Sequence, residues 1–268
     1  MPKRQADSDE HVKKAVGVPY GYQKVSPGEK RKRVQRHFDE IARRYDLAYI
    51  LLSFGLCWWW RRTCLHTLNL KADHRLLDLC GGTGDLARTA VRTGGTLSVV
   101  CDLNRPMMDA GRRKTSALKR LQWVHGNAES LGFCEAAFDA VFVGLGLRNL
   151  VHVEKGLREM FRILKGNGRL AILEFSVPSG RSMKAIYNTY AFRLLPALGR
   201  VVTGAQTPFQ YLAESVCVFP KPECVGLMLR GIGFTDVAYK PLSKGIVTLY
   251  TAKKPSHDLF SPAVSRKR

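Results

Sequence analysis

The chain reads as one α/β unit, a mainly parallel doubly wound sheet with helices on both faces, and three observations predict it. An apolar run, Leu76-Leu77-Asp78-Leu79-Cys80, breaks directly into Gly81-Gly82-Thr83-Gly84-Asp85. A buried strand does this when it ends in a turn where side chains would obstruct a ligand approaching the backbone. A second β-type run, Val99-Val100-Cys101-Asp102, ends in an acid 21 residues after Gly81, close to where such folds place the carboxylate that grips a ribose diol. Third, strand-like and helix-like segments alternate between Arg75 and Phe175, the order that builds a parallel sheet.

Taken in order, residues 1–29 show no sustained periodicity and contain Gly17, Pro19, Gly21, Pro27 and Gly28, which predicts a flexible basic arm. Val34, Phe38, Ile41 and Tyr45 fall at helical spacing and predict an amphipathic helix over 31–45, a cap above the site. The stretch Leu47 to Trp60, with three consecutive tryptophans, is too apolar for a solvent loop and is expected in the core or along a greasy pocket. Strands are predicted near 75–80, 97–102, 121–125 and 138–144, and helices near 84–92, 105–117 and 153–164. Gly166-Asn167-Gly168 turns the chain into a strand from Arg169 to Phe175. A helix from Ser182 to Leu198 despite Pro196, another starting at Pro222, and closing strands near Gly233-Phe234 and Gly245 to Thr251 complete the reading. The expected division is a 30–254 domain with a helical cap, and a basic tail over 255–268.

The glycines point to a particular nucleoside. A dinucleotide fingerprint needs a third glycine so that a helix N-terminus can meet a pyrophosphate, but here Ala87 occupies that position and Asp85 opens the helix. An acid there repels a phosphate and suits a cation. The sulfonium and α-amino group of S-adenosylmethionine (SAM) fit better than a nicotinamide dinucleotide.

Composition narrows the setting. Of 268 residues 45% are hydrophobic, enough for one core. The apolar runs fall far short of the roughly 18 residues a membrane span requires. The first residues lack an apolar secretory core, so a cytoplasmic location is expected. Seven cysteines and seven histidines show no ligand spacing, so no metal site is expected and the cysteines read as free thiols; His37 and His125 read as structural or surface residues. The net charge of +21 calls for an anionic partner. Aromatic residues do not alternate with the basic ones as a strand-stacking surface requires, so nucleic acid is not expected, and peripheral contact with an anionic membrane is the preferred reading. A solvated tail accounts for part of the charge.

These motifs resemble the class I SAM-dependent methyltransferases, and more closely the ubiquinone/menaquinone biosynthesis C-methyltransferase family of UbiE type. The resemblance spans about 33–252. It rests on Phe38-Asp39 through Tyr45-Asp46, Ser53-Phe54-Gly55, the glycine loop, Asp102-Leu103-Asn104, Gly126-Asn127-Ala128-Glu129, Gly146-Leu147-Arg148-Asn149, Arg162-Ile163-Leu164-Lys165, Leu173-Glu174-Phe175-Ser176 and Tyr211-Leu212-Ala213-Glu214-Ser215. It implies a seven-stranded Rossmann-like sheet whose last strand is antiparallel, with SAM across the C-terminal strand ends. Carried over by residue, Asp78, Gly81, Gly82, Thr83, Gly84 and Gly144 border the cofactor, Asp102 binds the ribose hydroxyls, and Asn127 and Ala128 contact the adenine. The chain departs from the family where Gly144-Leu145 replaces a Ser-Phe pair, where Tyr49-Ile50 replaces Asn-Asp, and over Gln206 to Gln210; these changes bear mostly on the acceptor side.

The implied reaction is methylation of a ring carbon of a prenylated benzoquinol or naphthoquinol. Such a carbon is nucleophilic only once a neighbouring phenol loses its proton, so an enzyme must align the centres and stabilise the phenolate. Arg148 is the expected group, holding the phenolate or polarising a water, and Asn149 would orient that water. The alternative is that Arg148 pairs with a carboxylate for structure. No residue stands out as a general base. A methyltransferase of another small phenolic or lipid metabolite is the second reading.

Overall fold

In the computed structural model, residues 17–256 are described. The chain opens with an antiparallel hairpin, β1 (Val18–Tyr20) and β2 (Gln23–Val25), followed by α1 (Pro27–Ile41), a single 3₁₀ turn, α2 (Tyr45–Leu52) and α3 (Leu56–Leu68). Then come β3 (Arg75–Leu79), α4 (Asp85–Gly94), β4 (Leu97–Asp102), α5 (Arg105–Thr115), β5 (Leu121–His125), β6 (Phe138–Gly144), α6 (Val153–Ile163) and β7 (Leu164–Phe175). Helices α7 (Arg181–Thr189), α8 (Leu195–Thr203), α9 (Thr207–Val218) and α10 (Pro222–Ile232) precede β8 (Thr235–Leu242) and β9 (Val247–Lys253).

Seven strands form one sheet in the order β5-β4-β3-β6-β7-β9-β8, all parallel except β9, which runs against both neighbours. The central strands are buried on both faces, which is why Leu76-Leu77-Asp78-Leu79 and Ala140 to Val143 read as continuous apolar runs rather than alternating ones. One face packs Leu77, Val99, Val141 and Ile172 against α6 and α10 through Leu157, Met160 and Leu229. The other packs Leu76, Ala140 and Leu173 against Cys57, Trp60 and Cys64 of α3. Strand order reverses between β3 and β6, and the crevice outside their carboxyl ends is where a doubly wound sheet holds ligands.

Several expectations are corrected. The predicted arm is ordered from Gly17 onward, and only 1–16 lie outside the described residues, as do 257–268 of the expected tail. Helix α1 starts four residues earlier than its apolar periodicity suggested, because Ser26 Oγ accepts the Glu29 amide at 3.2 Å and Pro27 occupies the first turn. It also stops at Ile41, so Tyr45 belongs to α2.

Gly166-Asn167-Gly168 sits inside β7 and does not precede it; Asn167 takes φ 63° there while the register with β6 jumps between Phe138 and Ala140. The single helix expected over 182–198 is two helices joined by a wide π turn at Tyr190–Leu194, because Pro196 has no amide to donate back to Phe192. Strand β8 extends well beyond Phe234; it is an exposed edge carrying Asp236, Lys240 and Pro241, a composition that reads as loop because edges are guarded by such residues.

Candidate active site

The cofactor-side residues converge at the carboxyl ends of β3, β4 and β6, where Asp78, Gly81, Gly82, Thr83, Asp102, Asn127, Ala128 and Gly144 line one cavity. Gly84 stands behind it: its left-handed φ of 70° turns the chain into α4, and a Cβ there would meet the Trp123 ring at 2.7 Å. A Cβ on Gly81 would stand 2.8 Å from the carboxyl carbon of Asp78, so glycine lets that acid lie under the loop. Gly144 is explained similarly, since a Cβ would meet the Phe142 ring at 2.8 Å; no serine hydroxyl fits while that ring holds its place.

Asp102 is fixed by the amides of Gly82 at 2.8 Å and Asn104 at 2.7 Å. Burial raises its pKa, and these donors oppose the shift. Asp78 accepts from the Ala87 amide at 3.1 Å, and burial pushes its carboxyl up to about 7. Asp85, read from sequence as the acid facing a cation, is instead claimed by Arg61 at 2.8 Å and Arg88 at 2.7 Å. Asp85 and Glu129 also line the cavity, Glu129 accepting the Val151 amide at 2.8 Å, so Asp78 and Asp102 are the lining acids with no arginine partner and a place beside the glycine loop. A diol beside Asp102 and a cation beside Asp78 suit this donor set, so the residues present fit SAM. Asn127 Oδ1 accepts the Glu129 amide at 3.0 Å and shapes the loop that brings Ala128 to the cavity.

The cap is latched over this cavity by four long-range contacts. Asn104 donates to Asp39 at 2.7 Å, Thr83 donates to Asp46 at 2.6 Å, Lys114 pairs with the same Asp46, and Lys30 donates to the Leu150 carbonyl at 2.6 Å. Each is a contact between segments far apart in the chain, so no local pattern marks it.

A second cavity of about 690 Å³ lies beside the first, lined by α1, α2, α7, α8 and α9 and mostly apolar. Phe38, Tyr45, Tyr49, Leu145 and Asn149 border both cavities, so the two chambers meet there. Arg148 lines the second and not the first. Its Nη1 donates to Glu174 at 2.7 Å and to the Leu145 carbonyl at 2.6 Å, and its Nε donates to Ser215 at 3.3 Å. Glu174, fully buried, also accepts the Arg148 amide at 3.1 Å. The carboxylate pairing foreseen as the alternative is thus present; among the described residues Nη2 makes no hydrogen bond. Asn149 accepts from Tyr211 at 3.3 Å, which leaves its amide nitrogen as a donor at the junction.

Trp60 is buried and donates to Ser243 at 2.9 Å, whereas Trp58 and Trp59 are exposed. Among the described residues there is no cluster of ligating side chains for a metal and no helix long and apolar enough to cross a membrane.

Comparison with known proteins decides the family: residues 26–254 match the model of the ubiE/COQ5 methyltransferase family. The chain belongs to that family. It is 36% identical over 259 residues to the ubiquinone/menaquinone biosynthesis C-methyltransferase UbiE of Pseudomonas aeruginosa, covering 95% of this chain and 99% of that one. It is 39% identical to UbiE of Pasteurella multocida over 240 residues, 88% of this chain and 90% of that one. Among solved structures it resembles phosphoethanolamine N-methyltransferase 2 of Haemonchus contortus in complex with S-adenosyl-L-methionine, with TM-score 0.59, 17% identity, and 78% of this chain and 56% of that one covered. It also resembles the [4+2]-cyclase SpnF, with TM-score 0.63, 15% identity, and 90% and 99% covered. These likenesses establish the class I methyltransferase fold; that a cyclase shares it means that chemistry must be argued from the site.

Proposed function

We propose that this protein is a SAM-dependent C-methyltransferase of quinone biosynthesis that methylates a ring carbon of a prenylated quinol. The observation that carries this reading is the pairing of two chambers, one with buried carboxylates and glycine backbone, the other large and apolar, meeting at Leu145 and Asn149. Asp102 would hold the ribose hydroxyls, Asp78 and Gly81 to Thr83 the amino-acid end, and Asn127 with Ala128 the adenine. When bound, SAM supplies an electrophilic methyl group. Phe38, Tyr45 and Leu145 exclude water from the junction and hold the acceptor ring flat against it. The Asn149 amide and the uncommitted Nη2 of Arg148 stabilise the oxygen that gives its proton to a water, the charge spreads onto the ring carbon, and once that carbon has taken the methyl group its own hydrogen leaves as a proton to water. Glu174 and Ser215 keep Arg148 in place for this.

A long prenyl tail has an exit. Phe54, Ile186 and Leu194 line the second chamber and are 76%, 63% and 51% exposed, so the apolar interior continues to the surface. The exposed Leu47, Leu51, Trp58, Trp59 and Val201 extend this apolar face, and exposed Arg62, Lys184, Arg193 and Arg200 lie on the same helices. Apolar and aromatic groups beside cations suit an anionic bilayer surface, so we place the mouth against the membrane that holds the acceptor, at the cytoplasmic side.

The test is methyl transfer by the purified protein from methyl-labelled SAM to demethylmenaquinol in detergent, against soluble phenols. Label on a ring carbon of the prenylated quinol supports the reading. Label only on short phenols, or on oxygen, returns the site to another small-molecule methyltransferase.

A further inference from the structure

The second chamber is mostly apolar and gathers its guanidinium, amide and imidazole groups together. Its apolar mouth lies at Phe54, Ile186 and Leu194, while its inner end gathers Arg148, Asn149, Tyr211 and His37. His37, on α1, is 7% exposed and stacks on Tyr211 with ring centroids 5.2 Å apart; Tyr20 stacks on both, 4.6 Å from Tyr211 and 6.0 Å from His37, so the three rings form one cluster. The Tyr20 hydroxyl lies 2.5 Å from His37 Nε2. The opposite ring nitrogen, Nδ1, is buried and has no hydrogen-bond partner. Native interiors leave few such atoms unanswered, and each one calls for an explanation.

Both members of the Tyr20–His37 pair are neutral near pH 7: burial, then Arg33, lowers His37 to about 4, and burial raises the Tyr20 phenol. A neutral phenol is a better donor than a neutral imidazole. Tyr20 therefore donates to Nε2, and the ring proton sits on Nδ1. The chamber is thus lined by an imidazole with an unanswered N–H, clamped by one aromatic cluster and one hydrogen bond.

A quinol ring carries two oxygens, and the Asn149–Arg148 pair answers one of them. We infer that His37 Nδ1–H is the anchor for the second ring oxygen of the acceptor, making the chamber selective for a dioxygenated aromatic ring over a singly hydroxylated one. This rests on the reading of the second chamber as the acceptor site but not on where the methyl group goes. His37 is a specificity-determining residue that touches the acceptor. Tyr20 acts through it, as a positioning residue that fixes the tautomer.

The experiment is equilibrium binding, followed by fluorescence under anaerobic reducing conditions, of 1,4-dihydroxynaphthalene and 1-naphthol to the full chain. The wild type should prefer the diol by about tenfold, the worth of one buried hydrogen bond. His37→Leu should abolish that preference while leaving 1-naphthol and SAM affinities within about threefold. His37→Asn, whose amide stands at the Nδ1 position, should keep the preference, and His37→Gln, whose amide stands at the Nε2 position, should lose it. Tyr20→Phe should weaken it. These two amide variants carry the test if His37→Leu does not fold, since a merely structural histidine would not separate them. Equal binding of both probes to the wild type, or an undiminished preference in His37→Leu or His37→Gln, would overturn the inference. A preserved preference in a protein that fails to methylate prenylated quinol would overturn the proposed function and leave the anchor standing.

Discussion

The two chambers share five residues and are built from different materials. The cofactor side is made of strand ends and backbone, with Asp102 and Asp78 each fixed by main-chain amides. The acceptor side is made of helix faces far apart in sequence, and its main polar fixture, the Arg148–Glu174 pair, ties the loop after β6 to the end of β7 and, through Ser215, to α9. The first is set by local geometry, the second by long-range packing. A family can therefore keep one cofactor while its acceptor chamber changes; two of the three departures of this chain, Tyr49-Ile50 and Gln206 to Gln210, lie on or next to acceptor-side elements, and the third, Gly144-Leu145, lies where the chambers approach, with Gly144 on the first.

The largest effect that would sharpen this contrast is at the seam. Removing the carboxylate in Glu174→Ala leaves the buried Arg148 guanidinium unpaired, and should cost about 3–5 kcal/mol of stability in chemical denaturation. A loss below about 1 kcal/mol would mean the pair does not hold the acceptor side together. On the cofactor side, Asp102→Ala removes the diol acceptor and strands the Gly82 and Asn104 amides. SAM binding measured by calorimetry should weaken by about 2–4 kcal/mol, whereas Arg148→Lys should leave it within about threefold and lower turnover.

A smaller effect follows from Asp78. Its carboxyl, pushed by burial to about 7, is protonated more readily in the folded chain than in the unfolded one. It therefore favours the ligand-free fold at low pH, and that contribution is lost as pH rises from about 4 to about 7. A cationic ligand needs the carboxylate, so SAM affinity should fall by roughly tenfold between pH 8 and pH 6. In Asp78→Asn both trends should flatten, read by calorimetry and by melting curves across that range.

The smallest expected effect concerns the mouth. Trp58 and Trp59 changed together to Ala should reduce cosedimentation with anionic liposomes by a few-fold at low salt and leave the melting temperature unchanged. Wild-type binding should fade as salt rises, since attraction to an anionic surface is screened over about 8–10 Å. Equal binding to neutral liposomes would detach the positive charge from the membrane.

Legibility in the sequence divides along the same line. Strands 97–102, 121–125 and 138–144 were readable to the residue, and Gly81 to Thr83 and Asp102, which line the first cavity, followed from one strand-turn-helix and one acid, because buried parallel strands and glycine turns carry local signals. The partners of Asp85, Arg61 and Arg88, are revealed only by folding. His37, Tyr20 and Glu174 drew no catalytic expectation for the same reason: each has its meaning through a neighbour at least 17 residues away. The hairpin before α1 was hidden by Pro19, which lies within β1, and Gly21, which makes its turn with φ 54°. The cap of α1 was visible in Ser26 and Glu29 and was passed over because apolar periodicity starts later.

The central claim is that chemistry occurs where the chambers meet, at Leu145 and Asn149. Leu145→Trp, which fills that junction from the loop after β6, tests it most directly by turnover measured beside SAM affinity. The account expects SAM to bind within about threefold of wild type while methyl transfer to the prenylated quinol falls by about a hundredfold or more. Unchanged turnover in a folded, SAM-binding Leu145→Trp protein would contradict it, because the methyl group would then cross somewhere else.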